Sequence, residues 1–252
     1  MARGARLSVN VNKVATLRNS RGGSEPSVLQ AVAVCLEAGA PGITVHPRAD
    51  QRHITPGDVR DIARALQGLR PGVELNIEGD PRPDLIALVH EVRPDQCTLV
   101  PVVPGEITSQ AGWQRGAETA RLPGVVRSMQ QQGIRVSLFV DARDEAVDLA
   151  AELGADRVEL YTEPYARAFE RGGADLARSL EIYTAAAVRA HGHGLGVNAG
   201  HDLDLSNLVP FREIPHLDEV SIGHALISRA VFVGLDTAVR EYLAVLALNA
   251  RA

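Results

Sequence analysis

The chain has 252 residues, of which 45% are hydrophobic and 23% are charged, a composition typical of globular proteins that bury a sizeable core. Its formal net charge is -5 and only 4% of its residues are aromatic. Nucleic-acid-binding proteins usually carry a basic surface and aromatic side chains that stack on bases, so nucleic acid is excluded as an expected partner.

Short β-branched segments alternate with longer segments of helical periodicity, which is the pattern of successive βα units on a parallel sheet. The predicted strands are RLSVNV (6–11), GITVHP (42–47), VELNIE (73–78), QCTLVPV (96–102), RVSLFVD (135–141), RVELYT (157–162), LGVNAG (195–200) and EVSIGH (219–224). The predicted helices are PSVLQAVAVCLEAGA (26–40), TPGDVRDIARALQGL (55–69), PDLIALVHEV (83–92), LPGVVRSMQQQG (122–133), DEAVDLAAELGA (144–155), GADLARSLEIYTAAAVRAHG (173–192) and a last helix from about Ser228 to Asn249.

The number of these units indicates the fold class. Eight βα units in about 250 residues are the expected content of an α/β protein with a (β/α)8 TIM barrel. No linker rich in Ser, Gly or Pro divides them, so we predict a single domain over residues 1–252. A doubly wound open sheet is the alternative, since periodicity does not show closure, although the first βα connection lacks the Gly-rich dinucleotide fingerprint.

The chain is expected to be a soluble protein of the cytoplasm. Its first residues, MARGARLSVNVNKV, lack the apolar stretch of a signal peptide, and no apolar run approaches the roughly 18 residues that cross a membrane. Cys35 and Cys97 lie in apolar runs, so we interpret them as reduced core thiols rather than as a disulfide or a reactive pair.

Polar residues collect at the carboxyl ends of the predicted strands, where TIM barrels place their chemistry. In chain order they are Asn10, Asn12, Lys13, His46, Arg48, Glu78, Glu106, Thr108, Asp141, Glu159, Asn198, His201, Gly223 and His224. A strand-end Asp or Asn also serves to cap the next helix, and this reading is equally good for Asp141 and Asn198. His46, Glu78 and His201 are different, because three titratable groups would converge on one rim.

The sequence resembles the pyridoxine 5'-phosphate synthase family, whose members close the ring in de novo vitamin B6 synthesis. The resemblance rests on VATLRNSRGG, GITVHPRADQRHI, NIE, QCTLVP, GEITS, VSLFVDA, NAGHDL and IGHALISRAV, which keep their order from about Leu7 to Leu246. It implies a (β/α)8 barrel that condenses 1-deoxy-D-xylulose 5-phosphate with 3-amino-2-oxopropyl phosphate, releasing phosphate and water. It implies no metal or organic cofactor, and a homo-octamer built from dimers.

The resemblance also implies roles for four catalytic residues. His46 and Glu78 would act as proton acceptors and His201 as a proton donor, which suits a ring closure in which every step moves protons. Glu159 would stabilise a charged intermediate; its alternative reading is a buried partner in an ion pair.

Both substrates carry phosphates, which an acidic protein must bind through local donors. Glycines at the ends of strands seven and eight are typical of the phosphate site of a barrel, where backbone N–H groups and a helix N-terminus are available. By resemblance, the aminoketone phosphate lies there and the pentulose phosphate lies elsewhere on the rim. The implied contacts of the first substrate are Asn10, Arg21, Asp202, Gly223 and His224, and those of the second are Arg48, His53 and Thr108. Arg52 is more simply a solvated surface charge.

The chain departs from the family pattern at the end of the first strand. Many members have Asp-His where this chain has Asn12 and Lys13, and Asp202 and Glu163 replace family glycines. Lys13 is the only lysine among the 26 Lys and Arg residues, so a compact ammonium at the rim is of interest. We interpret Asn12 and Lys13 as substrate-binding residues.

Two other classes of function stay open from the residues. A metal-dependent barrel hydrolase would use His46, Glu78 and His201, although the first strand reads Asn10-Val11-Asn12 where such enzymes often have His-x-His. A non-catalytic barrel that binds phosphosugars would keep the arginines and glycines alone. The segment from Gly105 to Gly116 is the candidate lid, from its length and its Gly, Ser and Gln content.

Overall fold

The eight predicted strands form one closed parallel barrel. In a computed structural model, which describes residues 4–101 and 111–247, each strand pairs with the next and β8 pairs with β1. The strands are β1 (Arg6–Asn10), β2 (Gly42–Val45), β3 (Glu74–Gly79), β4 (Gln96–Leu99), β5 (Arg135–Val140), β6 (Arg157–Tyr161), β7 (Gly196–Gly200) and β8 (Leu217–Ile222). The prediction of a (β/α)8 TIM barrel is confirmed, and the open-sheet alternative is wrong.

Helices follow the strands around the outside of the barrel. They are α1 (Asn12–Asn19), α2 (Val28–Glu37), α3 (Pro56–Leu66), α4 (Pro83–Val92), α5 (Leu122–Gln130), α6 (Asp144–Glu152), α7 (Glu163–Arg171), α8 (Gly173–Gly192), α9 (Leu208–Phe211), α10 (His224–Val233) and α11 (Leu235–Ala247). Their starts have local causes: Ser27 caps α2, and Thr55 with Asp58 forms a capping box on α3. Among residues 4–101 and 111–247, no helix has the length and apolar character needed to cross a membrane.

The prediction of a single last helix is wrong. The described part of that region holds two helices, α10 and α11, which Gly234 divides with a φ of +85°. A residue with a side chain is disfavoured at that φ, so the glycine ends one helix and lets the next begin at a new angle. Asn249 lies outside the described residues.

Substituting Gly234 with alanine is expected to lower the free energy of unfolding by about 1 kcal/mol, because alanine strains the left-handed backbone. No atom stands within 4 Å of the added Cβ, so conformational strain would be the cause. Gly124, in the first turn of α5, is also unobstructed but has no positive φ, and its change to alanine is the control. Urea unfolding should show Gly124→Ala neutral or stabilising; equal losses in both variants would contradict the explanation.

The barrel interior is polar, whereas the hydrophobic core lies between the strands and the helices. Side chains alternate along each strand, so Leu7 and Val9 face the helices while Ser8 faces the axis. The Ser8 and Thr44 hydroxyls are 2.6 Å apart, and the Asn76 amide bonds to Thr44 at 3.4 Å. This hydrogen-bonded interior leads directly to the charged groups at the carboxyl end.

The two cysteines are core residues, as predicted. Cys35 and Cys97 are both buried and are not bonded to each other. Burial raises the pKa of each thiol to about 12, so neither is an activated nucleophile.

Candidate active site

A cavity of about 490 Å³ opens at the carboxyl end of the barrel. It brings together residues from both ends of the sequence: Asn10, Asn12, Lys13, Thr16, His46, Arg48, Arg52, His53, Glu78, Val100, Glu159, His201, Asp202, Leu203, Ser221, Ile222, Gly223, His224 and Ala225. All four residues predicted to be catalytic are in this set. Parallel strands that end at the same rim explain why residues so distant in sequence meet.

His46 and Glu78 lie side by side in the cavity. The Nδ1 atom of His46 is 3.9 Å from Oε2 of Glu78, and both side chains are nearly buried. The backbone N–H of His46 donates to Oδ1 of Asn12 at 2.9 Å, and the N–H of Asn12 donates to Oδ1 of Asn10 at 3.0 Å. The asparagine that departs from the family pattern therefore fixes the end of β2.

Burial reverses the usual order of the two pKa values in this pair, so that the carboxyl holds its proton at a higher pH than the imidazole does. It raises the pKa of Glu78 to about 8 and lowers the pKa of His46 well below its usual value. The charges of His53 and Arg48 act in the same direction on His46. Near neutral pH the site therefore favours a protonated Glu78 beside a neutral imidazole. Nε2 of His46 is buried without a hydrogen-bond partner among the described residues.

Glu159 lies deeper, where β6 and β7 run side by side. It is 2% exposed, and no Lys, Arg or His of the described residues lies within ion-pair distance of its carboxyl. Burial, followed by the charges of Glu78 and Glu219, raises its pKa well above the usual value. A Cβ on Gly200 would stand 2.3 Å from Oε1 of Glu159, so any larger residue there would force this carboxyl to move.

His201 is held against two aromatic rings at the end of β7. Its ring centroid is 4.9 Å from that of Phe139 and 5.5 Å from that of Tyr161. Its φ of +82° is rare for a residue with a side chain, and the Thr162 hydroxyl fixes this backbone by bonding to the carbonyls of Gly200 and His201. Burial lowers the pKa of His201.

The two ends of the cavity offer different anion-binding groups. At one end Arg48, His53 and Lys13 lie together; burial, and next the Arg48 charge, lower the pKa of His53 to about 4. The Nδ1 atom of His53 accepts from the N–H of Ile54 at 2.9 Å, which leaves Nε2–H as a donor. At the other end α10 begins at His224, and Gly223 packs so closely on Asn10 that a Cβ would stand 3.1 Å from it.

Several other residues that the sequence marked at the rim have different surroundings in the structure. Arg21 is exposed and does not line the cavity. Arg52 is exposed, as expected, and pairs with Asp50, and it also lies at the cavity wall. Asn198 instead accepts from Arg157 inside the barrel, and Asp141 accepts from the N–H of Gly112. Both therefore have structural partners. Glu106, Thr108 and the first half of the candidate lid, residues 105–110, lie outside the described residues.

Sequence reasoning missed Ser221. Its side chain lines the cavity, and its hydroxyl lies 3.5 Å from Oε1 of Glu78. The signal was available: Ser221 stands two residues before Gly223, so strand alternation places both on the inner face. A second cavity of about 340 Å³ lies beside the first, between α7 and the loop after β7, and contains none of the four residues predicted to be catalytic.

The fold resembles that of known barrels at low sequence identity. The crystal structure of phosphoribosyl anthranilate isomerase from Thermotoga maritima aligns with 96% of this chain, and the alignment includes 98% of the isomerase chain. The TM-score is 0.61 and the sequence identity is 13%. At this identity the likeness shows the fold alone.

Sequence comparison is far more specific. The family model described as "Pyridoxal phosphate biosynthesis protein PdxJ" matches residues 7–248. Pyridoxine 5'-phosphate synthase of Porphyromonas gingivalis is 50% identical over 244 residues, which are 96% of this chain and 99% of that protein. The protein of the same name from Xanthomonas axonopodis pv. citri is 51% identical over 248 residues, 95% of this chain and 96% of that protein. The chain therefore belongs to the PdxJ family of pyridoxal phosphate biosynthesis proteins.

Proposed function

We propose that the protein is a pyridoxine 5'-phosphate synthase that condenses 1-deoxy-D-xylulose 5-phosphate with 3-amino-2-oxopropyl phosphate, releasing phosphate and water. Sequence identity of about 50% to proteins of that name, over nearly the whole chain, supports this reaction. The observation that carries the mechanism is the buried pair of His46 and Glu78, 3.9 Å apart, between two anion-binding ends of one cavity.

The chemistry requires protons to move in both directions at one site. An imine forms between the amine of one substrate and the ketone of the other, after which phosphate and water leave and a carbon–carbon bond closes the ring. Neutral His46 is the first proton acceptor. Glu78, with a pKa of about 8, exchanges its proton near physiological pH, and a cationic amine or iminium beside it favours its ionised form as a second acceptor. His201 returns a proton, and Glu159 faces the positive charge of the intermediate.

The two phosphates occupy opposite ends of the cavity in this proposal. Arg48 and His53 hold the pentulose phosphate, while the start of α10 at Gly223 and His224, together with the backbone of Asp202, holds the aminoketone phosphate. Asn10 contacts the second substrate. Arg21 and Thr108 stay proposed substrate contacts on the family resemblance.

A turnover assay with both substrates tests the function directly. Pyridoxine 5'-phosphate, detected by mass, should form only when both substrates and the protein are present, with one inorganic phosphate released per product. Treatment with a chelator and metal analysis of the purified protein accompany it. Activity lost on chelation and restored by a metal ion would favour metal-dependent chemistry, and tight binding without turnover would favour a phosphosugar-binding protein.

Lys13 is exposed on the cavity rim, in the first turn of α1, and we propose that its ammonium pairs with the pentulose phosphate. Lys13→Met should then raise KM for that substrate by about 10-fold while kcat changes less than about threefold, because a single charge–phosphate contact at a wet rim contributes about 1 to 2 kcal/mol. Steady-state kinetics with each substrate varied in turn measure the split.

Lys13→Arg is the matched control, since it keeps the charge and should keep KM within about threefold of the original. The competing role is a Schiff base between Lys13 and a substrate ketone. Borohydride treatment with each substrate, followed by intact mass measurement, should give no adduct. A stable adduct on Lys13 would replace the charge role, and unchanged kinetics in Lys13→Met would remove both.

We also propose a cytoplasmic homo-octamer. The buried free thiols of Cys35 and Cys97 suit a reducing compartment. Val231 and Phe232 on α10 are 73% and 85% exposed, a pattern that suits contact with another copy of the chain. Analytical ultracentrifugation measures the assembly.

A further inference from the structure

Ser221 contacts a catalytic carboxyl without having a role in the proposed reaction. It lies on β8, is 8% exposed, and turns its hydroxyl into the barrel. That hydroxyl is 3.5 Å from Oε1 of Glu78, which projects from β3 on the far side of β1 and β2. The contact therefore crosses the top of the barrel rather than joining neighbouring strands.

The other oxygen of Glu78 has a donor of its own. Nδ2 of Asn10 lies 3.4 Å from Oε2, the oxygen that also faces His46. Asn10 is itself fixed, because its Oδ1 accepts from the N–H of Asn12 and its side chain packs on Gly223. Each oxygen of Glu78 thus has one donor: Ser221 on β8 for Oε1, and Asn10 on β1 for Oε2. Both distances are long, as is common for catalytic hydrogen bonds before the substrate tightens them.

From this two-donor arrangement we infer that Ser221 is a positioning residue for Glu78: its hydroxyl holds Oε1, so that Oε2 stays directed at His46 and the substrate. The inference deepens the proposed function and rests on it. It assigns Ser221 to the orientation of the proton acceptor and not to contact with either phosphate.

Ser221 also affects the proton equilibrium of Glu78. The burial of Glu78 and the charge of Glu219 disfavour its ionised form, and the Ser221 hydroxyl is the group that opposes them. Without that donor the pKa of Glu78 rises further, since a hydrogen bond to a carboxylate stabilises the charged form. A group that only fills space would leave the pKa unchanged, which separates positioning from packing.

The test compares the pH dependence of kcat/KM in the original protein, Ser221→Ala and Ser221→Thr. The acidic limb of Ser221→Ala should move to higher pH by about 0.5 to 1 unit, the size expected for losing one long hydrogen bond to a charged group. Its plateau should also fall by about 10-fold, because Oε2 is no longer held toward His46 and the substrate. Ser221→Thr should restore both the limb and the plateau because it keeps a hydroxyl. Ser137→Ala is the matched control: Ser137 is a buried serine of the same barrel, does not line the cavity, and its hydroxyl has no partner among the described residues.

An unchanged limb in Ser221→Ala would overturn the inference, as would an equal shift in Ser137→Ala. A shift to lower pH would overturn it too, because it would mean that the hydroxyl accepts from the protonated acid. If Ser221→Ala fails to fold, Ser221→Cys, which keeps a weak donor, should show a smaller shift in the same direction.

A measurement that needs no turnover separates this inference from the proposed function. Carboxyl ¹³C NMR of glutamate-labelled protein, with the Glu78 signal assigned by its loss in Glu78→Gln, follows the titration of Glu78 directly. A titration shifted upward in Ser221→Ala supports the hydrogen bond even if no pyridoxine 5'-phosphate is formed. Identical titrations overturn it even if the enzyme is active.

Discussion

Glu78→Gln is expected to lower kcat for pyridoxine 5'-phosphate formation by about 10²-fold or more, because an amide can neither take nor return a proton. The amide has the same shape as the carboxyl, so the fold and KM for both substrates should change little. His46→Asn and His201→Asn should show losses of the same order if all three act in transition states. Full activity in a folded Glu78→Gln protein would remove Glu78 from the mechanism.

The same substitution should stabilise the protein at alkaline pH. The folded state raises the pKa of Glu78 from 4.5 to about 8, so its favourable contribution is complete below pH 4.5 and is lost as the pH rises through 8. At pH 9 the original protein holds a buried carboxylate that glutamine replaces with a neutral group. We expect a gain of up to about 5 kcal/mol in the free energy of unfolding at pH 9, and near equality at pH 4.

Urea unfolding at several pH values measures this difference. Glu91→Gln is a suitable control, since Glu91 is an exposed carboxylate on α4 that pairs with Arg60. Removing that surface pair should give no gain at pH 9. A Glu78→Gln protein without extra stability at pH 9 would show that the buried carboxyl is not held in its neutral form.

Gly200→Ala is expected to damage both activity and stability, because its Cβ would stand 2.3 Å from Oε1 of Glu159. Either the carboxyl moves or the ends of β6 and β7 separate. Overpacking of this kind costs about 1 to 3 kcal/mol, and displacement of Glu159 from the intermediate should lower kcat by about 10²-fold. Thermal unfolding and turnover on the same samples measure the two effects.

A double-mutant cycle identifies the cause. In a Glu159→Ala background the added methyl group meets no carboxyl oxygen, so Gly200→Ala should cost much less stability than it does alone. Gly192→Ala, at the end of α8 where no atom stands within 4 Å of the added Cβ, controls for the change from glycine to alanine. Equal costs with and without Glu159 would place the strain in the backbone.

The strands and the rim were predictable because their signals are local. Segments such as RVSLFV and RVELY are β-branched and bounded by turns, and each lies where a strand is observed. Residues at the strand ends could be assigned to one rim because the carboxyl ends of parallel strands meet there. His46, Glu78 and His201 share the cavity for this reason.

Other features depend on interactions that a linear pattern does not contain. α1 lacks a clear apolar stripe, and the break at Gly234 is a single residue within a helical pattern. The raised pKa of Glu78 and the lowered pKa of His46 follow from their burial in the folded barrel. The packing of Gly200 on Glu159 requires the register of β6 and β7, which pairs Glu159 with Asn198 and so places Gly200 beside the carboxyl.

The single lysine has a practical consequence. Besides any free α-amino group, Lys13 is the only amine of the chain and it stands at the cavity rim. An amine-directed fluorophore or crosslinker would therefore label the mouth of the site without mutagenesis, and bound pentulose phosphate should slow that labelling. A lysine-specific protease would cut the unfolded chain after residue 13 alone, so the extent of labelling can be read from one cleavage.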